Sequence, residues 1–69
     1  MENKFFERLI YLREEKGFTR KQLAEKLGVS VRLVSYWENN QRECDFNMLI
    51  KMADLLNVTI DFLLGREDY

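Results

Sequence analysis

Val31, Arg32, Ser35 and Tyr36 fall on one side of a short segment whose other side carries Val34 and Trp37. The i, i+3 spacing of Val34 and Trp37 predicts the apolar stripe of a helix over about 31–39, with those four residues and Asn39 outward. The chemistry this face offers is recognition. An arginine reaches the O6/N7 edge of guanine, a valine meets a thymine methyl, and a tyrosine serves a base or a phosphate. Taken singly, Arg32 reads better as a surface cation, and Val31 and Tyr36 as residues packing against a neighbouring helix; together on one face after the Gly28 turn, they read as a groove surface. Bond-making chemistry is poorly provided for. There is no histidine, so no Ser-His or Cys-His pair can form. Cys44 has no obvious base, and Glu14, Glu15 and Asp54 read as solvated helix faces. One cysteine, no histidine and no clustered aspartate loop imply no metal, and nothing suggests a cofactor.

The recognition face needs a scaffold, and residues 18–40 supply one. Thr19 with Gln22 makes a T-x-x-Q capping box for a helix over about 20–27, and Phe18 with Leu23 has staple spacing. Gly28 ends that helix, because glycine enters the left-handed C′ conformation without a Cβ clash. Ser30 caps the next helix, with Val29 and Val34 as its staple. Two helices joined by so short a glycine-containing turn predict a helix-turn-helix, whose second helix can enter a DNA major groove. Leu23, Ala24 and Leu27 form the buried side of the first of the two, the small Ala24 permitting close approach. Arg20 and Lys21 occupy that helix's first turn, the unfavourable end for cations. They read either as solvated charges or as partners of an anion such as a phosphate.

Three more helices are expected. One covers 3–16, capped by Asn3 and stopped by Gly17, with Phe5, Leu9 and Leu12 facing the core. Phe6 and Ile10 form a neighbouring pair that either widens the core stripe or offers a contact patch. Asn39 and Asn40 end the third helix, and a polar loop leads to a fourth over 46–56, capped by Asp45 and stopped by Asn57. Phe46, Leu49, Ile50, Met52, Ala53 and Leu56 give it a broad apolar face. A fifth helix over 60–64 has Thr59 as cap, Gly65 as stop and Ile60, Leu63 and Leu64 for packing. Phe62 is left over as an exposed residue, and residues 66–69 form a charged, frayed tail.

The 69 residues make one small domain that buries only ~60% of its unfolded surface. No proline and three glycines favour helix. No apolar run is long enough for a membrane span or a signal peptide. The single cysteine excludes an intramolecular disulfide and fits a reducing cytosol, so a cytoplasmic location is expected. The net charge of −1 is awkward for a nucleic-acid binder, but it is unevenly spread. Residues 18–43 carry Arg20, Lys21, Lys26, Arg32 and Arg42 against Glu25, Glu38 and Glu43, a net of +2, whereas residues 44–69 are net −3. Few phosphate contacts and modest affinity are therefore expected.

The motifs R-L-x-x-L-R-E-E-K-G-F-T, Q-L-A-E-K-L-G-V-S, V-S-Y-W-E-N and L-I-K-M-A-D-L-L-N-V-T-I-D-F-L-L-G stand in this order from about residue 5 to 65. In them the chain resembles the Cro/C1-type (XRE-like) helix-turn-helix family. The resemblance implies an all-α, five-helix, lambda-repressor-like DNA-binding domain with its helix-turn-helix at about 20–39. It implies that Arg13 and Glu38 pair and tie the first helix to the third. It assigns Thr19, Arg20, Asn39 and Arg42 to phosphates, with Ser30 at the groove edge also on the backbone, and Val31, Arg32, Ser35 and Tyr36 to base edges. The sequence departs from the family pattern at Arg20, where glutamine is usual, at Asn40 in place of glycine and at Cys44 where proline is common. Leu33 and Tyr36 are larger and less polar than typical. The expected function is a sequence-specific transcriptional regulator. It would be a homodimer on a pseudo-palindromic duplex operator with half-sites ~34 Å apart, repressing by occlusion. The alternative is a protein-interaction or antitoxin-type module, with Phe6, Ile10 and Phe62 as its contact surface or as the dimer interface.

Overall fold

The computed structural model describes residues 4–66. Five helices follow in order: α1 (Phe5–Glu15), α2 (Arg20–Leu27), α3 (Val31–Glu38), α4 (Phe46–Leu56) and α5 (Ile60–Leu63). No strand is present among the described residues. The architecture is the expected all-α one.

Local chemistry accounts for most helix ends. The Thr19 hydroxyl accepts from Gln22 N at 3.0 Å while the Gln22 side chain accepts from Thr19 N at 2.9 Å, closing the capping box. Ser30, Asp45 and Thr59 accept from the N–H groups of Leu33, Met48 and Phe62. Each helix then closes through a left-handed residue, the three glycines Gly17, Gly28 and Gly65 and the two asparagines Asn40 and Asn57. At Gly28 (φ +74°) the Val29 N–H reaches back to the Ala24 carbonyl, so the chain leaves α2 abruptly and α3 begins three residues later. Of the two asparagines after α3, Asn39 stays on the right-handed side (φ −97°) and Asn40 alone takes the left-handed turn.

The start of α1 differs from expectation. Lys4 occupies its N-cap with no side-chain hydrogen bond, and Asn3 lies outside the described residues. The Lys4 N–H instead donates to the Leu64 carbonyl at 3.1 Å, so the entry to α1 is tied to the end of α5. The tail beyond Arg66 also lies outside the described residues.

One hydrophobic cluster draws on all five helices, including Leu9, Leu12, Leu23, Leu27, Val34, Trp37, Met52, Leu56 and Leu63. Helix α1 packs on α3 and α5, α2 on α3 and α4, and α4 on α5. Burying a leucine fully contributes on the order of 1.5–3 kcal/mol, so these contacts carry much of the stability of so short a chain. Three expectations about apolar residues need correction. Phe46 is 83% exposed and Ile50 48%, leaving Leu49, Met52, Ala53 and Leu56 as the buried face of α4. Ile60 is 37% exposed and contributes only partly to the packing of α5. Phe62 is buried, because Arg8 of α1 lies across its ring at 4.4 Å and donates to its carbonyl at 3.2 Å. A residue that looked surplus is therefore part of the α1–α5 contact. Phe6 and Ile10 are half-buried.

Candidate nucleic-acid interface

Helix α3 is short, with Val34, Trp37 and Glu38 buried and the remaining residues partly or fully exposed. Val31, Arg32 and Asn39 are exposed, and Ser35 and Tyr36 are half-exposed, so the outward face contains the residues read from the sequence. Ser30, Arg32, Leu33, Tyr36 and Arg42 line one shallow open depression along it. Leu33, half-buried against the core, forms part of the floor, a role that its bulk in the sequence did not reveal. Thr19, Arg20, Ser30 and Arg42 are all exposed. The hydroxyls of Thr19 and Ser30 already accept from their helices, which leaves each O–H free to donate outward.

Behind the face, Arg13 and Glu38 meet as the resemblance implies, and a second arginine joins them. Arg13 Nε donates to Glu38 Oε2 at 2.7 Å and Arg13 Nη2 to Oε1 at 3.3 Å, a two-pronged contact. Arg13 Nη1 also donates to the Phe18 carbonyl at 3.0 Å, which holds the α1–α2 corner. Arg20 Nε donates to Glu38 Oε1 at 2.9 Å. The Glu38 side chain is fully buried, Arg13 is 13% exposed and Arg20 46%. One carboxylate thus balances two guanidiniums and leaves a net positive charge at the first turn of α2. That helix end already carries partial positive charge from its free N–H groups. Sequence reasoning placed Arg20 on a phosphate and missed its bond to Glu38, since 18 residues separate them.

Two other features of this region were not legible in the sequence. Lys51 of α4 donates to the Leu27 carbonyl at 2.8 Å, satisfying an acceptor at the C-terminus of α2 next to the turn. Arg42 returns over the Tyr36 ring, its guanidinium carbon 5.3 Å from the centroid. Cys44, in the loop that follows, is half-buried, and burial pushes its thiol up to about 11.

The arrangement offers a short helix with exposed hydrogen-bonding side chains and two further arginines, Arg20 and Arg42, near its C-terminal end. A helix-turn-helix family model matches residues 9–63. The transcriptional regulator ImmR of Bacillus subtilis is 38% identical over 61 residues, covering 88% of this chain and 48% of ImmR. The chain spans about half the length of most of the curated relatives it matches. A transcriptional regulator from Listeria innocua superposes with a TM-score of 0.89 at 32% identity over all of this chain and 64% of that one. SinR, a master regulator of biofilm formation solved in complex with DNA, superposes with a TM-score of 0.81 at 32% identity, covering 88% of this chain and 98% of that one. With its five helices, its glycine-cornered α2–α3 pair and the Arg13–Glu38 tie, the chain belongs to the Cro/C1-type (XRE-like) helix-turn-helix family.

Proposed function

We propose that this domain binds duplex DNA with α3 in the major groove and acts as a transcriptional regulator in the cytoplasm. In this reading Val31, Arg32, Ser35 and Tyr36 face base edges, while Thr19, Arg20, Ser30 and Asn39 meet the sugar-phosphate backbone. The observation that carries the proposal is the open face of α3. Arg32 is exposed and Tyr36 half-exposed, and among the described residues Arg32 has no carboxylate partner. An exposed arginine with no carboxylate partner suits bidentate contact with guanine. The SinR–DNA complex supports the reading by similarity. Two copies on a pseudo-palindromic operator, with half-sites ~34 Å apart, would block access to a promoter. No catalytic role is proposed: the raised Cys44 thiol is a poor nucleophile at neutral pH.

The test is selection from a random duplex pool at low salt. The wild-type protein should enrich one two-fold-related site, with affinity falling as salt rises. Arg32→Ala should cost about 1–3 kcal/mol on that site and relax a single base-pair position. A second reading has its own observation. Phe46 and Ile50 stand one turn apart on the outer face of α4, a pair that a protein partner could cover. If no duplex is bound even at low salt, the domain is a protein-interaction module and this α4 face is its contact surface.

A further inference from the structure

The family resemblance assigns Arg42 to a phosphate, and its surroundings point elsewhere. Helix α3 ends with Asn40 at φ +58°, the Asn40 N–H on the Trp37 carbonyl (3.2 Å) and the Gln41 N–H on the Tyr36 carbonyl (2.8 Å). This closure folds the chain back along α3, so that residue 42 arrives beside residue 36 instead of running on beyond the helix. The Arg42 guanidinium then rests on the Tyr36 ring at 5.3 Å, and both side chains line the depression that also holds Arg32. Two arginines near the C-terminal end of α3 are thus held in different ways. Arg20 gives its Nε to a buried carboxylate, which commits a donor and offsets charge. Arg42 lies over an aromatic face, and among the described residues no hydrogen bond or ion pair commits its N–H groups.

The two modes of holding suit different ligands. A phosphate presents oxygens in many directions and accepts a cation from almost any angle. A base edge accepts an arginine only when the plane of the fork matches the plane of the base pair. An aromatic ring that fixes the guanidinium while sparing its donors is a device for the second task. We infer that Arg42, oriented by Tyr36 within the depression along α3, reads a base edge and is a specificity-determining residue of the interface. This rests on the DNA-binding reading above. The pair couples a loop residue to a helix residue, so the determinant extends beyond α3 itself.

The experiment is duplex selection with the wild-type protein, Arg42→Ala, Arg42→Lys and Arg32→Ala, followed by salt titrations on the selected site and on a scrambled duplex. Lysine keeps the charge and loses the planar fork. The expected result for Arg42→Lys is a roughly 5- to 150-fold loss on the selected site, relaxed preference at one base pair distinct from that of Arg32, little change on the scrambled duplex and an unchanged salt slope. The inference is overturned if Arg42→Lys keeps full site preference while Arg42→Ala weakens all duplexes equally and lowers the salt slope by about one. In that case Arg42 is a phosphate contact, and Arg32→Ala still relaxes its own position, so DNA reading stands. If the wild-type protein selects no site, both the inference and the reading beneath it fall.

Discussion

Replacing Glu38 by glutamine removes one charge from a side chain that is fully buried. The Glu38 carboxylate is fully buried and accepts three hydrogen bonds, two from Arg13 and one from Arg20. An amide of the same shape keeps one acceptor and turns an N–H group toward a guanidinium. Arg13, 13% exposed, is then left with its charge uncompensated. Breaking a buried pair from one side costs about 3–5 kcal/mol. Arg20 is 46% exposed, so solvent already screens its share, and Arg20→Ala should cost under about 1 kcal/mol. A domain of 69 residues has on the order of 3–10 kcal/mol of stability in all, so Glu38→Gln should bring it close to unfolding. At about 4–8 °C per kcal/mol, even the lower bound lowers Tm by roughly 12–24 °C. The assay is urea unfolding followed by fluorescence of Trp37, the only tryptophan, which is buried against the core. The denaturant slope should stay constant while the midpoint falls. The double variant Arg13→Met/Glu38→Leu should regain most of the loss, because apolar partners of similar volume leave no charge buried. The reasoning is refuted if Glu38→Gln costs no more than Arg20→Ala, or if the double variant is as unstable as the single one.

Two further outcomes are expected. At Gly28 the space for a Cβ is adequate, with only Lys51 Nζ at 3.6 Å, so the cost of Gly28→Ala should be the left-handed backbone itself, about 1–2 kcal/mol by chemical denaturation. Gly28→Asn should lose less, since Asn40 and Asn57 hold the same conformation elsewhere in the chain, and equal losses for the two variants would contradict this account. The Cys44 thiol, raised to about 11 chiefly by burial, should be alkylated far more slowly in the folded protein than in urea at pH 8. Because the folded state holds this proton more tightly, the associated stability is complete below pH 9 and declines as the pH rises through about 11. A Cys44→Ser variant whose stability falls just as steeply over that range would show that the thiol is not responsible.

Local chemistry made much of this protein readable from its residues in order. A cap is a hydroxyl or carboxylate meeting an N–H three residues away, and a stop is a residue that tolerates positive φ. Thr19, Ser30, Asp45, Thr59, Gly28 and Asn57 therefore place helix ends without reference to the rest of the chain. The α2–α3 corner and the outward face of α3 follow from those positions and from the spacing of Val34 and Trp37. Tertiary structure decided what depends on distant neighbours. Helix α4 is apolar around most of its circumference, so periodicity could not choose which side to bury. Packing against α2 and α5 covered Leu49, Met52 and Leu56 and left Phe46 and Ile50 outside. Phe62 is covered by an arginine 54 positions earlier. Glu38 took a second guanidinium, and Leu27 a lysine from α4, because folding brought them within hydrogen-bond reach. Short-range steric and hydrogen-bonding rules act within a turn of helix and are written in adjacent residues. The choice of buried face and of charge partner is settled only when separate helices compete for the same interior.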